Sequence, residues 1–252
     1  MASIAANLLQ LHNRIADACA RVHRSPAEVA LMAVSKMHPA EAMLEAHAAG
    51  QRLFGENRVQ EWQAKSAFFA QPSFFAKLDL DLAPFASKAL PSLAAGLEVH
   101  LIGPLQNNKA AKAAELFHAI DTLDSLKTAE RLNAAALALN KTLPVLIEVK
   151  LSPEDTKHGL SPEELPTFLA ALSPLTNLLP SGLMTVPPWN EDAETARPYF
   201  QHLRRLRDEN LATHPTLTQL SMGMSNDFPV AIEEGSTTIR IGTAIFGKRT
   251  YA

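Results

Sequence analysis

The sequence predicts a single (β/α)8 barrel, the TIM-barrel architecture of the α/β class, with an extra helix at its amino terminus. Three observations predict it. Short apolar runs of strand type alternate with stretches of helical spacing through about eight units, the pattern of a parallel sheet ringed by helices. The chain has 252 residues, close to the roughly 250 of one such barrel. Polar clusters follow the apolar runs, at the strand ends where barrels gather their working side chains. A doubly wound open sheet is the alternative arrangement of the same units. No fixed-period repeat is visible, which argues against a solenoid.

Each element has its own signal. Ile4, Leu8, Leu11, Ile15 and Val22 recur at helical spacing, so the chain begins with a helix that covers an apolar surface. Ser25-Pro26-Ala27-Glu28 breaks it, and Val29 to Val34 reads as the first strand. Pro39 to Ala49 is a helix stopped by Gly50. Arg52 to Asn57 is a short strand with a polar end, and Val59 to Phe69 returns to helical spacing. Residues 71–96, with Pro72, Pro84 and Pro91 among Phe and Leu, read as an insertion of short helices whose phenylalanines form a satellite cluster or a partner surface. Glu98 to Gly103 is the third strand, with a helix through Phe117 after it. Ala119 to Leu123 is the fourth, and Asp124-Ser125 caps a long alanine-rich helix to Leu139. Pro144 to Lys150 is the plainest buried strand. A polar loop, 152–159, leads to a helix starting near Pro162. Leu178 to Val186 holds the sixth strand, GLMTV at 182–186, and 192–210 the helix after it. Leu217 to Leu220 runs into Ser221-Met222-Gly223-Met224-Ser225, and 227–234 is helical. Thr237 to Ile241 is the last strand, followed by Gly242-Thr243.

Composition narrows the class. Hydrophobic residues make up 47% of the chain and the net charge is −3, which favours a globular protein over a disordered one and suggests no nucleic-acid partner. The single cysteine, Cys19, provides no disulfide framework and reads as a small buried hydrophobe. The first 20 residues lack the basic start and continuous apolar centre of a signal peptide, and no apolar run reaches the roughly 18 to 20 residues of a membrane span. The expected location is the cytoplasm. The histidines show no metal-ligand spacing. Arg204, Arg205 and Arg207 read as a solvated helix face.

In a barrel every strand-to-helix junction lies on one rim. Lys36, Asn57, Gln106 with Asn107, Thr185, Ser225 and Arg240 then share a mouth. The loops after the seventh and eighth strands, around Gly223 and Gly242, fall where barrels bind phosphate. Either glycine alone reads as a simple turn, and Lys36 alone as a surface residue. Together they point to a ligand with a phosphate at one end and an electrophile at the other. A desolvated lysine amine attacks an aldehyde to form a Schiff base, and pyridoxal phosphate (PLP) carries both groups. Arg240 either donates to the pyridine nitrogen or pairs with Glu233 or Glu234.

AVSK at 33–36, FGENRVQE at 54–61, HLIGPLQNNK at 100–109, KHGL at 157–160, GLMT at 182–185, LSMGMSNDF at 220–228 and AIEEGSTTIRIGTAIFG at 231–247 together resemble the YggS/PROSC family of pyridoxal phosphate homeostasis proteins. The resemblance covers nearly the whole chain. It implies a barrel of the alanine racemase N-terminal domain type, the type III fold of PLP proteins, with PLP bound through Lys36. By motif, the 222–225 loop (Met222, Gly223, Met224, Ser225) with Gly242 and Thr243 would hold the phosphate, Arg240 would face the pyridine nitrogen, and Asn57 would lie near the Schiff base. The chain departs from the family where a second lysine and a proline commonly follow the first lysine. Here the segment is Met37-His38-Pro39.

The resemblance implies a monomeric carrier that buffers PLP and delivers it to apo forms of PLP-dependent enzymes. The alternative is a racemase of alanine racemase type. That chemistry needs a second acid–base group facing Lys36. Tyr199, in an outer helix, and Tyr251, near the end, are poorly placed for it, and the carrier is the expected function.

Overall fold

The computed structural model describes residues 3–69, 96–152 and 158–247. Eight strands close into a parallel barrel in sequence order: β1 (Ala30–Val34), β2 (Leu53–Glu56), β3 (Glu98–Leu101), β4 (Ala119–Leu123), β5 (Leu143–Glu148), β6 (Leu178–Met184), β7 (Gln219–Ser221) and β8 (Thr238–Ile241). The barrel shuts where β8 pairs with β1, from Ala30–Thr238 to Ala33–Ile241. Closure satisfies every strand edge, which an open sheet would leave exposed.

Around it run α1 (Ile4–Arg21), α2 (Ala40–Ala48), α3 (Val59–Phe69), α4 (Ala110–Leu116), α5 (Leu126–Ala138), α6 (Leu165–Leu172), α7 (Arg197–Asn210), α8 (Phe228–Glu233) and α9 (Thr243–Phe246). The extra helix α1 starts where Ser3 Oγ accepts the Ala6 amide, a serine N-cap. It buries Leu8, Leu11, Ile15, Ala18 and Cys19 against α2, α8 and α9. Each of the three long aliphatics contributes about 2 kcal/mol on full burial. Asn7 Nδ2 donates to the Ile245 carbonyl at 2.8 Å, tying α1 to the last helix.

Strand side chains alternate, so the core has two layers. Phe54, Val99, Leu101, Val145, Ile147, Ile239 and Ile241 join the continuous hydrophobic cluster between strands and helices. Met32, Val34, Ala119, Leu146 and Met184 are equally buried but stand outside that cluster, filling the barrel interior. Arg240 is the register partner of Met32 and shares this inner layer.

Three boundaries differ from expectation. Helix α6 begins at Leu165, since Glu164 Oε2 captures the Ser161 amide at 2.9 Å and holds that stretch as a turn. Strand β6 begins at Leu178 and runs through Pro180, which the register tolerates because the β5–β6 pairing slips between Val145 and Leu146. The segment before α7 is a 3-10 turn over Ala193–Ala196, with the α-helix proper from Arg197. Of the expected insertion at 71–96, all but residue 96 lies outside the described residues, as do Tyr251 and Lys157 of the KHGL segment.

Candidate functional site

The rim at the strands' carboxyl ends collects most of the residues singled out from sequence. Lys36 follows Ser35 directly after β1 and is half-buried. Alternation along the strand places it on the inner face with Met32 and Val34. Val34 touches the last loop: a Cβ added at Gly242 would lie 3.2 Å from the Val34 carbonyl oxygen and 3.5 Å from its Cβ. The β1 loop also packs on α9, with the His38 and Phe246 rings 5.0 Å apart. Lys36, Gly242 and Thr243 are therefore neighbours on one arc of the mouth.

The loop after β7 continues this arc. Gly223 has φ +97°, and a Cβ there would come within 2.6 Å of the Ala231 Cβ. Only glycine meets both conditions. Its carbonyl accepts the Arg240 amide at 2.9 Å, joining the two loops. Met224 and Ser225 are half-buried beyond it, and Met224 N–H donates to Asp227 Oδ1 at 2.6 Å. An anion held by this loop would compete with Asp227 for that amide. Burial pushes the Asp227 carboxyl up, with Met224 N–H and Arg240 opposing. Met222 is different: its side chain is fully buried in the outer hydrophobic layer and faces away from the mouth. Only its backbone can serve the loop.

Arg240 lies inside the barrel at 5% exposure, donating from Nη1 to Ser221 Oγ at 2.7 Å and from Nη2 to the Thr185 carbonyl at 2.8 Å. The surface pairing with Glu233 and Glu234 belongs to Arg197 instead, at 2.7 and 2.6 Å. Burial lowers the pKa of Arg240, while Asp121, Glu148 and Asp227 pull the other way. The guanidinium stays charged and is a fixed donor facing the barrel axis.

Asn57 closes the other side. Ser35 N–H donates to the Gly55 carbonyl at 3.1 Å, bringing the end of β1 beside that of β2. Asn57 Oδ1 is buried and has no hydrogen-bond partner among the described residues. It lines a cavity of about 810 Å3 with Arg58, Gln106, Lys109 and His158. Asn107, grouped with these on sequence grounds, instead accepts the Thr128 hydroxyl with Oδ1 at 2.8 Å.

Sequence reasoning passed over two acidic features of the interior. Glu148, at the end of β5, has a carboxyl pushed up to about 7 by burial, reinforced by Asp124 and opposed by Arg240. Lower in the barrel, His100 Nδ1 lies 3.0 Å from Asp121 Oδ1, and His100 Nε2 lies 3.0 Å from Glu98 Oε1. Burial works against the charged imidazole, yet Asp121 and then Glu98 outweigh it and hold the pKa at about 9. The available signal was a titratable residue inside an otherwise apolar strand, at inward parity. Among the described residues no group of three or more His, Cys, Asp or Glu is arranged to hold a metal ion.

The family model for the N-terminal domain of alanine racemase matches residues 6–250. An alanine racemase of Clostridium difficile superposes with a TM-score of 0.65 at 14% identity, covering 98% of this chain and 56% of that one, a likeness of fold alone. Fold and rim together define a barrel of the alanine racemase N-terminal type. Within that class, the pyridoxal phosphate homeostasis protein of Vibrio cholerae is 41% identical over 252 residues, covering 100% of this chain and 99% of the relative. That of Pseudomonas aeruginosa is likewise 41% identical, covering 100% and 98%. PipY of Synechococcus elongatus, solved with PLP bound, has a TM-score of 0.77 at 39% identity, covering 97% of this chain and all of that one. The chain belongs to the family of pyridoxal phosphate homeostasis proteins.

Proposed function

We propose that this chain binds PLP as a Schiff base on Lys36, and buffers and delivers it without strong catalysis of its own. The observation that carries the reading is the shared arc: Lys36, the Gly242 loop and, through Arg240, the Gly223 loop are tied together on one rim. The residues present fit the group. Glycine backbones that pack without a Cβ suit close approach to a phosphate, Arg240 presents a buried donor, and Asn57 Oδ1 is an acceptor in need of a donor. When bound, PLP supplies an aldehyde for covalent capture and a conjugated ring that absorbs visible light. Lys36 would be the residue that holds the aldehyde end, through its amine. Gly223, Met224, Ser225, Gly242 and Thr243 hold the phosphate.

Two features favour a carrier. A permanently charged arginine opposite the pyridine nitrogen leaves that nitrogen unprotonated, which weakens the ring as an electron sink. Tyr199, the described tyrosine, lies on the outer helix α7. The racemase alternative draws on Glu148, whose pKa of about 7 suits an acid–base group.

The test is to load the protein with PLP, remove free cofactor, and add an apo PLP-dependent enzyme. The expected result is recovery of that enzyme's activity, with alanine racemisation by the carrier at background. Racemisation at ordinary enzyme rates, about 10 per second, would overturn the carrier reading.

A further inference from the structure

The backbone on both sides of Lys36 is held by one buried ion cluster. Before the lysine, Ser35 Oγ donates to Glu56 Oε1 at 2.7 Å, and the Ser35 carbonyl accepts from Lys65 Nζ at 2.9 Å. After it, the Met37 N–H donates to Glu61 Oε1 at 2.5 Å. Lys65 Nζ joins the two sides, donating to Glu56 Oε1 at 2.7 Å and to Glu61 Oε1 at 2.8 Å. An ammonium has three donors, and all three are used here.

The cluster is placed by two elements. Glu56 ends β2, while Glu61 and Lys65 stand one turn apart on α3. Glu56 is fully buried and Lys65 is 7% exposed, in a region where aliphatic side chains would pack at lower cost. Among the described residues Glu56 Oε2 is buried without a hydrogen-bond partner, so the charge is not fully compensated. Such a cluster is a poor source of stability but an effective way to fix position. What it fixes is unusual. Met37 adopts φ +61°, a left-handed conformation that disfavours residues with a Cβ, and its side chain is 55% exposed. Met37 is the third residue of a turn closed by the His38 N–H, which donates to the Ser35 carbonyl at 3.0 Å, and the Met37 N–H donating to Glu61 Oε1 ties that turn to α3.

We propose that Glu56, Glu61 and Lys65 are positioning residues for Lys36. They clamp residues 35 and 37 so that the Lys36 amine is aimed before ligand arrives. Preorganisation of this kind raises affinity by removing an ordering cost at binding. It acts only on the bond that Lys36 makes, and leaves the hold on the phosphate and ring unchanged. The inference rests on the PLP reading above.

The experiment compares PLP with pyridoxine 5′-phosphate, which keeps the ring and phosphate but has a hydroxymethyl group in place of the aldehyde. Equilibrium binding of both is measured on the wild type and on Glu61→Ala, Glu61→Gln and Lys65→Met, alongside the visible Schiff-base band. The clamp predicts at least a tenfold loss of PLP affinity in Glu61→Ala and Lys65→Met, with pyridoxine 5′-phosphate changed less than twofold. Glu61→Gln keeps an acceptor for the Met37 amide and restores most of the PLP affinity. Equal losses for the two ligands, or no loss in Glu61→Ala, would overturn the clamp. Should Lys65→Met fail to fold, Glu61→Ala decides, since that side chain is already 22% exposed. A wild type that binds neither ligand and shows no band overturns the cofactor reading, an outcome separate from failure of the clamp.

Discussion

Gly242 and Val34 meet so closely that a Cβ at 242 would stand 3.2 Å from the Val34 carbonyl oxygen. This contact joins the first strand to the loop after the last one, and it sets the proposed phosphate end beside the proposed aldehyde end. Barrel closure produces it: β1 pairs with β8 in register up to Ala33 and Ile241, so Val34 and Gly242 are the next pair. Residues far apart in the chain become neighbours because the sheet has no edges.

Gly223→Ala tests the neighbouring loop. The new methyl would meet Ala231 Cβ at 2.6 Å and Phe228 Cα at 3.0 Å, in a backbone conformation with φ +97°. We expect a loss of about 2 kcal/mol in stability by urea unfolding, and weaker binding of PLP and pyridoxine 5′-phosphate alike. A variant as stable as the wild type, with unchanged affinity, would remove this loop from the site.

The His100–Asp121 pair predicts a pH effect with a definite sign. The folded pKa, about 9, is above the ordinary histidine value of 6.5. The stabilisation is therefore fully present below about pH 6.5 and fades as pH rises through 9. Its size is about 3 kcal/mol. Urea unfolding of the wild type and His100→Gln should show a gap at pH 6 that closes by pH 10. A gap independent of pH would contradict the ion pair.

Glu148 makes stability change in the same direction for the opposite reason. Its carboxyl is raised to about 7 by burial, so the folded state holds a proton that the unfolded state has released, and stability falls between about pH 4.5 and 7. Glu148→Gln should be close to neutral at pH 4.5 and more stable than the wild type by about 2 kcal/mol at pH 8, allowing for its partial exposure. Destabilisation at pH 8 would mean that its attraction to Arg240 outweighs its burial.

Much of this architecture is legible in the sequence because strands in a closed parallel barrel are short apolar runs ended by turn chemistry. The run ending at Ser35-Lys36 and the one ending at Gly242 are clear for that reason. The starts of β6 and α6 are less so. Pro180 argues against a strand until the β5–β6 slip is known, and Glu164 competes for a backbone amide that the helix would otherwise order. At the site, Lys36 and Arg240 are visible as charges at strand ends. Lys65 is not visible, because on α3 it is one lysine in a mixed helix, and only its three acceptors, from two other segments and one helical turn away, give it a task. Met222 is a different case: the family motif places it in the phosphate loop, while strand parity turns its side chain into the core and leaves only its backbone for that loop.

Chemical trapping shows whether Lys36 carries the cofactor. The protein is loaded with PLP, reduced with borohydride to make the linkage permanent, digested, and mapped by mass spectrometry. One pyridoxyl group is expected, on the peptide containing Lys36. An unmodified Lys36, with the label absent or carried on other lysines, would contradict it.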